Sequence, residues 1–288
     1  MTTDTERALA ELMGDDDTNE LLEEDRSTTV DSLTILPGTD KSGFRKGFTE
    51  LTFRTGDVVC VVGPTGSGKS RLLADIEWLA RFDTPTRRGI LINDSEPDLA
   101  GRYAGTGRLV AQLSQNMNFV MDATVGEFLE LHAESRGADL SANRRERIIA
   151  EANRLTGEPV TTDRQLTELS GGQSRALMIA DTALLSTSPI VLIDEIENAG
   201  IDRHAAITLL RGADKIVLVA THDPSLALSA ERRLVIANGG IVEVRERTVA
   251  EEQVAERLRT FDALQEELRR AIRGGETLDR FRDDPWLR

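Results

Sequence analysis

Residues 63–70 read GPTGSGKS, directly after the apolar run VVCVV and directly before the helical spacing of RLLADIEWLA. The octet fits G-x-x-x-x-G-K-[ST], a loop that cradles phosphates, and a strand-to-helix turn is where such a loop has to be. Gly63, Gly66 and Gly68 let backbone amides point inward without Cβ clashes, while Pro64, Thr65 and Ser67 fill the variable positions. The following helix N-terminus adds a positive dipole end, Lys69 reaches toward the β and γ phosphates of a nucleoside triphosphate, and Ser70 offers a hydroxyl to Mg2+.

Three further segments carry chemistry at matching places. IVLIDEIEN is an apolar strand ending in two carboxylates: Asp194 is placed to hold a magnesium shell and Glu195 to orient or deprotonate an attacking water. THD, with His222 at its centre, follows the apolar strand KIVLVA. LSGGQ (Leu169, Ser170, Gly171, Gly172 and Gln173) opens the helical stretch SRALMIADTALL. A serine and two glycine amides at a helix start form a small anion nest, so the chain carries two half-sites for phosphate; the same residues also read as a helix N-cap.

In this order the motifs resemble those of the ATP-binding cassette (ABC) ATPases, whose signature is LSGGQ, and the resemblance covers about residues 31–245. It implies an α/β P-loop NTPase core with an antiparallel β subdomain and an inserted helical subdomain at about 116–168. It also implies hydrolysis of ATP with Mg2+. Glu195 would be the catalytic base, His222 the switch residue on the γ phosphate, and Gln115 the loop glutamine on magnesium and water. Gln112 is the competing choice for that last role. One phosphate loop and one signature per chain imply a head-to-tail homodimer, in which the signature acts in trans: Ser170 of one chain closes over nucleotide held by Lys69 of the other.

Some segments depart from the family pattern. IENAGID, after the carboxylate pair, is one residue longer than the usual wording, with Asp202 in the place of the final aspartate, and the interval from Glu195 to His222 is short. Phe44 is the choice for an adenine-stacking aromatic, with a core or loop role open beside it. Two tasks fit the resemblance. One is the energy-coupling subunit of an ABC transporter, docking through the helical subdomain onto separate membrane permease subunits. The other is a soluble ATPase that assembles or remodels a protein or cofactor complex.

Composition narrows the setting. With 288 residues the chain can bury one large α/β core plus appendages. Fifty acidic against 35 basic residues, net −15, argue against an electrostatic grip on nucleic acid. No apolar run approaches the ~20 residues that span a bilayer, and the start has neither basic leader nor apolar core, so a cytoplasmic location is expected, peripheral to the inner membrane face through partners. Cys60 reads as a small core residue.

Residues 1–30 read as an acidic, disordered tail, 31–245 as the ATPase domain and 246–288 as a C-terminal amphipathic helix and tail. RRLVIANGGIVEV reads as a strand pair around Asn238, Gly239 and Gly240. The helix over 251–273 places Val254, Leu258, Phe261, Leu264, Leu268 and Ile272 on one face.

Overall fold

The computed structural model describes residues 29–44, 48–97, 109–114, 118–196 and 200–277. The chain divides into Met1–Val30 and Asp31–Arg288, and every element below belongs to the second unit. The acidic tail expected at the N-terminus, and the last residues of the C-terminal tail, lie outside the described residues.

Nine strands form two sheets among the described residues. β1 (Ser32–Ile35), β2 (Leu51–Arg54) and β4 (Ile90–Ile92) make a small antiparallel sheet in the order β2-β1-β4. The larger sheet has the order β5-β6-β7-β3-β8-β9, from β3 (Val58–Val62), β5 (Val110–Leu113), β6 (Ile190–Asp194), β7 (Ile216–Ala220), β8 (Arg232–Ala237) and β9 (Gly240–Glu246). Its strands pair in parallel except for the β8-β9 edge. The apolar runs VVCVV, IVLID and IVLVA become its three central strands, because a parallel strand covered on both faces needs apolar residues at every position. Arg232 joins the sheets, its guanidinium 5.0 Å from the Phe53 ring centre and ion-paired with Asp57.

The β8-β9 turn is tighter than the sequence suggested. Ala237 pairs with Gly240, so Gly240 opens β9 and only Asn238 and Gly239 make the turn, both at positive φ (51° and 81°) as a two-residue type I′ hairpin requires.

Six helices frame the large sheet: α1 (Lys69–Glu77), α2 (Val125–Glu134), α3 (Ala142–Thr156), α4 (Gly171–Leu184), α5 (Arg203–Arg211) and α6 (Pro224–Ser229). α2 begins in a Thr124/Glu127 capping box, and α3 ends at Gly157 in the left-handed conformation. α4 is buried on most of its circumference and packs against α3, α5 and β5. Leu129, Ile148 and Leu155 of α2 and α3 share one apolar core with Leu177 of α4 and with Val191 and Val217 of the sheet. The helices over 125–156 are therefore built into the same core as the strands that carry the site.

The last helix, α7 (Val249–Arg273), packs on α6 with a face that takes in only part of the one its apolar residues mark. Ala255 is buried and Leu258, Leu264 and Leu268 are half-buried, whereas Val254, Phe261 and Ile272 are 45%, 53% and 62% exposed. Ion pairs lie along the packed side: Glu251 meets Arg233, and Asp262 lies 3.4 Å from Arg203 and 3.5 Å from His204.

Candidate functional site

The phosphate loop leaves β3 and becomes α1 within six residues. Gly68 is the N-cap of α1 at φ 110°, so no side chain caps the first turn, whose backbone N–H groups have no intrahelical acceptors. A Cβ on Gly68 would lie 2.9 Å from Gly239 Cα, and one on Gly63 would lie 2.3 Å from Ile236 O, so the loop is held hard against the β8-β9 hairpin. Gly66, at φ 75°, has open space where a Cβ would stand. Lys69 is buried and its Nζ donates to Gly63 O at 2.9 Å and Pro64 O at 3.4 Å. Ser70 is exposed one residue further. The Ser67 Oγ is buried without a hydrogen-bond partner.

The other chemical residues gather at the same edge of the sheet. Asp194 ends β6 and pairs with Ala220 at the end of β7, and the Glu195 N–H donates to Ala220 O at 3.1 Å. Thr221, next along, donates its N–H to Val61 O of β3 at 3.1 Å, so the β6, β7 and β3 ends are fastened side by side. Glu195 has φ 55°, the left-handed region, which turns the chain sharply as it leaves the strand. His222 is exposed just past β7. Asp223 beside it caps α6 through the Ser225 and Leu226 N–H groups and pairs with Arg203, the residue that also reaches Asp262 of α7. Ligands of open α/β sheets sit outside the carboxyl ends of the strands, and this is that edge.

Gln115 lies two residues past β5, outside the described residues. Gln112 is on β5 itself and, with its amide nitrogen turned toward α1, donates to both Glu77 carboxylate oxygens at 2.8 and 2.6 Å.

Of the LSGGQ residues, Leu169 is half-buried before α4 and Ser170 is the N-cap of α4. Ser170 and Gln173 form a reciprocal capping box, Oγ accepting from Gln173 N at 3.2 Å and Gln173 Oε1 accepting from Ser170 N at 2.9 Å. Gln173 Nε2 also donates to Pro159 O at 2.9 Å, and Ser170 Oγ to the Glu158 carboxylate at 3.3 Å. Gly171 and Gly172 form the first turn, exposed and half-buried. One turn on, Arg175 lines a narrow crevice with Ser114, Asp194 and Glu195.

Two features escaped the sequence reading. Lys41 Nζ donates to Gly66 O of the phosphate loop at 2.9 Å, but a lysine in a polar stretch carries no signal of such a contact. Phe44, in the same turn, is 70% exposed. A groove of about 740 Å³ opens between the end of α1, β5, α2 and α4, lined by Trp78, Phe119, Met121, Phe128 and Met178. At one side of it, His132 Nδ1 faces Asp181 at 2.7 Å, and Arg136 Nε donates to His132 Nε2 at 2.7 Å. Only a loose clustering of aromatics and methionines hints at it in the sequence.

A phosphate loop on β3, a carboxylate pair on β6, a histidine past β7 and an LSGGQ helix start define the ABC class of α/β P-loop ATPases. The ABC transporter family model matches residues 49–198. An uncharacterized ABC transporter ATP-binding protein of Methanocaldococcus jannaschii, MJ0121, is 51% identical over 249 residues, 86% of this chain and 95% of that protein. The cobalamin import ATP-binding protein BtuD of Halobacterium salinarum is 28% identical over 198 residues, 66% of this chain and 48% of its own length. Among solved structures, the ATP binding subunit of an ABC transporter superimposes with TM-score 0.57 at 23% identity, over 76% of this chain and 90% of that one. CbiO1 of Clostridium perfringens, part of the ABC transporter complex cbiONQ, gives 0.58 at 20% identity, over 83% and 100%. The chain belongs to the ABC transporter family, as its ATP-binding cassette, an ATPase. No helix among the described residues is long and apolar enough to cross a membrane.

Proposed function

We propose that two copies of this chain bind and hydrolyse Mg2+-ATP at head-to-tail composite sites and that the cycle drives separate membrane permease subunits from the cytoplasmic side. The observation that carries the reading is the split of the chemistry: the phosphate loop, carboxylates and histidine share one sheet edge, while LSGGQ opens a different helix and hydrogen-bonds to Glu158, Pro159 and its own Gln173.

The residues fit the groups they would hold. Uncapped amides at the start of α1 and open space at Gly66 suit a phosphate, and one hydroxyl with one carboxylate, Ser70 and Asp194, suits magnesium, which keeps several waters. Magnesium, when bound there, would neutralise charge on the phosphate oxygens. Lys69 would exchange its contacts with Gly63 O and Pro64 O for the β and γ phosphates. Glu195 would orient and deprotonate water for in-line attack, His222 would hold the γ-phosphoryl group, and Gln115 would contact magnesium and the attacking water. Phe44 is exposed in the turn whose Lys41 touches the loop, and it remains the choice for the adenine face. The groove beside α2, with an apolar wall and a fixed polar floor, suits a short amphipathic helix of a permease subunit.

Glu195→Gln tests the composite site, because it keeps the shape while removing the base. ATP should then accumulate a dimer, seen by size-exclusion with light scattering. Ser170→Arg added to the same chain should leave ATP binding intact and the protein monomeric. Equal dimerisation of both variants would overturn the trans role of Ser170.

A further inference from the structure

Arg88 and Asp75 are 2% and 1% exposed and form an ion pair outside residues 63–70. Arg88 NH1 donates to Asp75 Oδ2 at 2.6 Å, and Thr86 Oγ1 donates to the same oxygen at 2.7 Å. The other Arg88 terminal nitrogen, NH2, donates at 2.6 Å to the carbonyl of Gly239, in the β8-β9 turn. Gly239 in turn donates its N–H to Ser67 O at 2.7 Å and fills the space where a Cβ of Gly68 would be.

These contacts close a ring. Asp75 stands on α1, the helix that begins with Lys69, so the ring runs from α1 through Arg88 to the turn, from the turn to Ser67 and Gly68, and from there back into α1. A bond at 2.8 Å from Lys41 N to Asn238 O braces the turn from outside. Replacing a buried ion pair by apolar residues of similar volume is commonly neutral or stabilising, so stability alone gives little reason for charges at these positions. Geometry gives one: a guanidinium can pair with a carboxylate and still hold a carbonyl on another element.

We infer that the Asp75–Arg88 pair is a positioning device for nucleotide binding, which clamps the Asn238–Gly239 turn onto the outer wall of the phosphate loop and so keeps the loop's inner face shaped for phosphate. The pair touches no reacting atom. Its effect falls on ATP affinity, and the chemical step is left to the residues already described. The inference rests on residues 63–70 being the phosphate site.

The test separates positioning from stability. In Asp75→Leu with Arg88→Met the buried charges are gone together, which offsets the hydrogen bonds lost at Gly239 O and at the Thr86 hydroxyl, itself still within reach of Thr84, so thermal stability should stay near wild type. Gly239 O has lost its donor, so the Kd for Mg2+-ATP and the KM should rise on the order of tenfold, with kcat at saturating ATP within about twofold of wild type. Arg88→Lys keeps the charge and most of the volume but cannot span both partners, and it should fold and show the same shift in Kd. Wild-type Kd in either variant overturns the inference. Lys69→Ala serves as control: if it binds ATP normally, the phosphate-site assignment fails, whereas if it is defective and the paired variant is not, only the positioning role fails.

Discussion

α1 and α4 both start within segments rich in glycine and serine, and the two starts are capped differently. At α1 the N-cap is Gly68, without a side chain to satisfy the first-turn amides, and the lysine behind it is held by carbonyls of its own loop. At α4 the N-cap is Ser170, and a full capping box satisfies an amide on each side, with Glu158 against the hydroxyl. One nest has no side chain on it. The other is partly taken by its own residues: the Gln173 amide is held by Ser170 and the Ser170 hydroxyl by Glu158, so a phosphate arriving at the Gly171 and Gly172 amides must displace a carboxylate to reach the serine. That asymmetry fits a site in which the phosphate loop binds first and the signature engages only when a second chain brings nucleotide to it. α4 is closed at its far end too, where Arg144 Nε and NH2 donate to Leu184 O at 3.0 and 2.7 Å, and just beyond it Lys215 donates to Ser186 O and Ser188 O at 2.9 and 2.7 Å.

The largest expected effect breaks the uncapped nest. Lys69→Ala removes the one charge buried in the loop, and Mg2+-dependent ATP turnover should fall by at least about 100-fold. Near-normal hydrolysis in a phosphate-release assay would mean that α1 is not the primary anion site.

A pair of alanine substitutions sharpens the contrast between the nests. Gly68→Ala puts a Cβ at φ 110° and 2.9 Å from Gly239 Cα, at a cost of about 1–3 kcal/mol. Gly171→Ala meets nothing nearer than Arg175 NH1 at 3.9 Å, so its stability should stay within about 0.5 kcal/mol of wild type. Urea unfolding of both reads the difference, and equal losses would show that the hairpin does not confine the phosphate loop.

The smallest effect concerns the far end of α4. Burial, with the Arg136 charge added, pushes the Lys215 pKa down from 10.5 to about 8, against a smaller opposing pull from Asp181. The unfolded chain keeps that proton to higher pH, so it binds more protons than the folded state above pH 8 and stability must rise with pH there. Relative to Lys215→Met, wild type should gain roughly 1 kcal/mol between about pH 7.5 and 9 in urea unfolding. A flat difference would mean that Lys215 is solvated in the folded protein.

Much of the catalytic edge is legible without coordinates because each part is contiguous. The strand runs ending at Val62, Asp194 and Ala220 announce themselves by unbroken apolar content, and the octet, DE and THD follow them directly. The Asn238–Gly239 turn is legible to within one residue. Less visible is anything whose meaning depends on a distant neighbour. Apolar spacing puts Val254, Leu258, Phe261, Leu264, Leu268 and Ile272 on one face of α7, yet the three leucines are half-buried while Val254, Phe261 and Ile272 are exposed, and Glu251 and Asp262 on the packed side find cationic partners on other elements.

The sequence by itself determined the ABC class, the order of the central motifs and the residues proposed to meet phosphate, because those depend on residue types within a few positions of one another. Tertiary structure alone decided which helix start is left uncapped and which is capped by its own serine, since that rests on whether a side chain folds back on its own amides. It also decided that Arg88, thirteen residues from Asp75 and 151 from Gly239, joins them behind the phosphate loop. A charged residue in a linear pattern reads as solvated surface, and only the packing of α1, the segment before β4 and the β8-β9 hairpin around it excludes the water and turns it into a clamp.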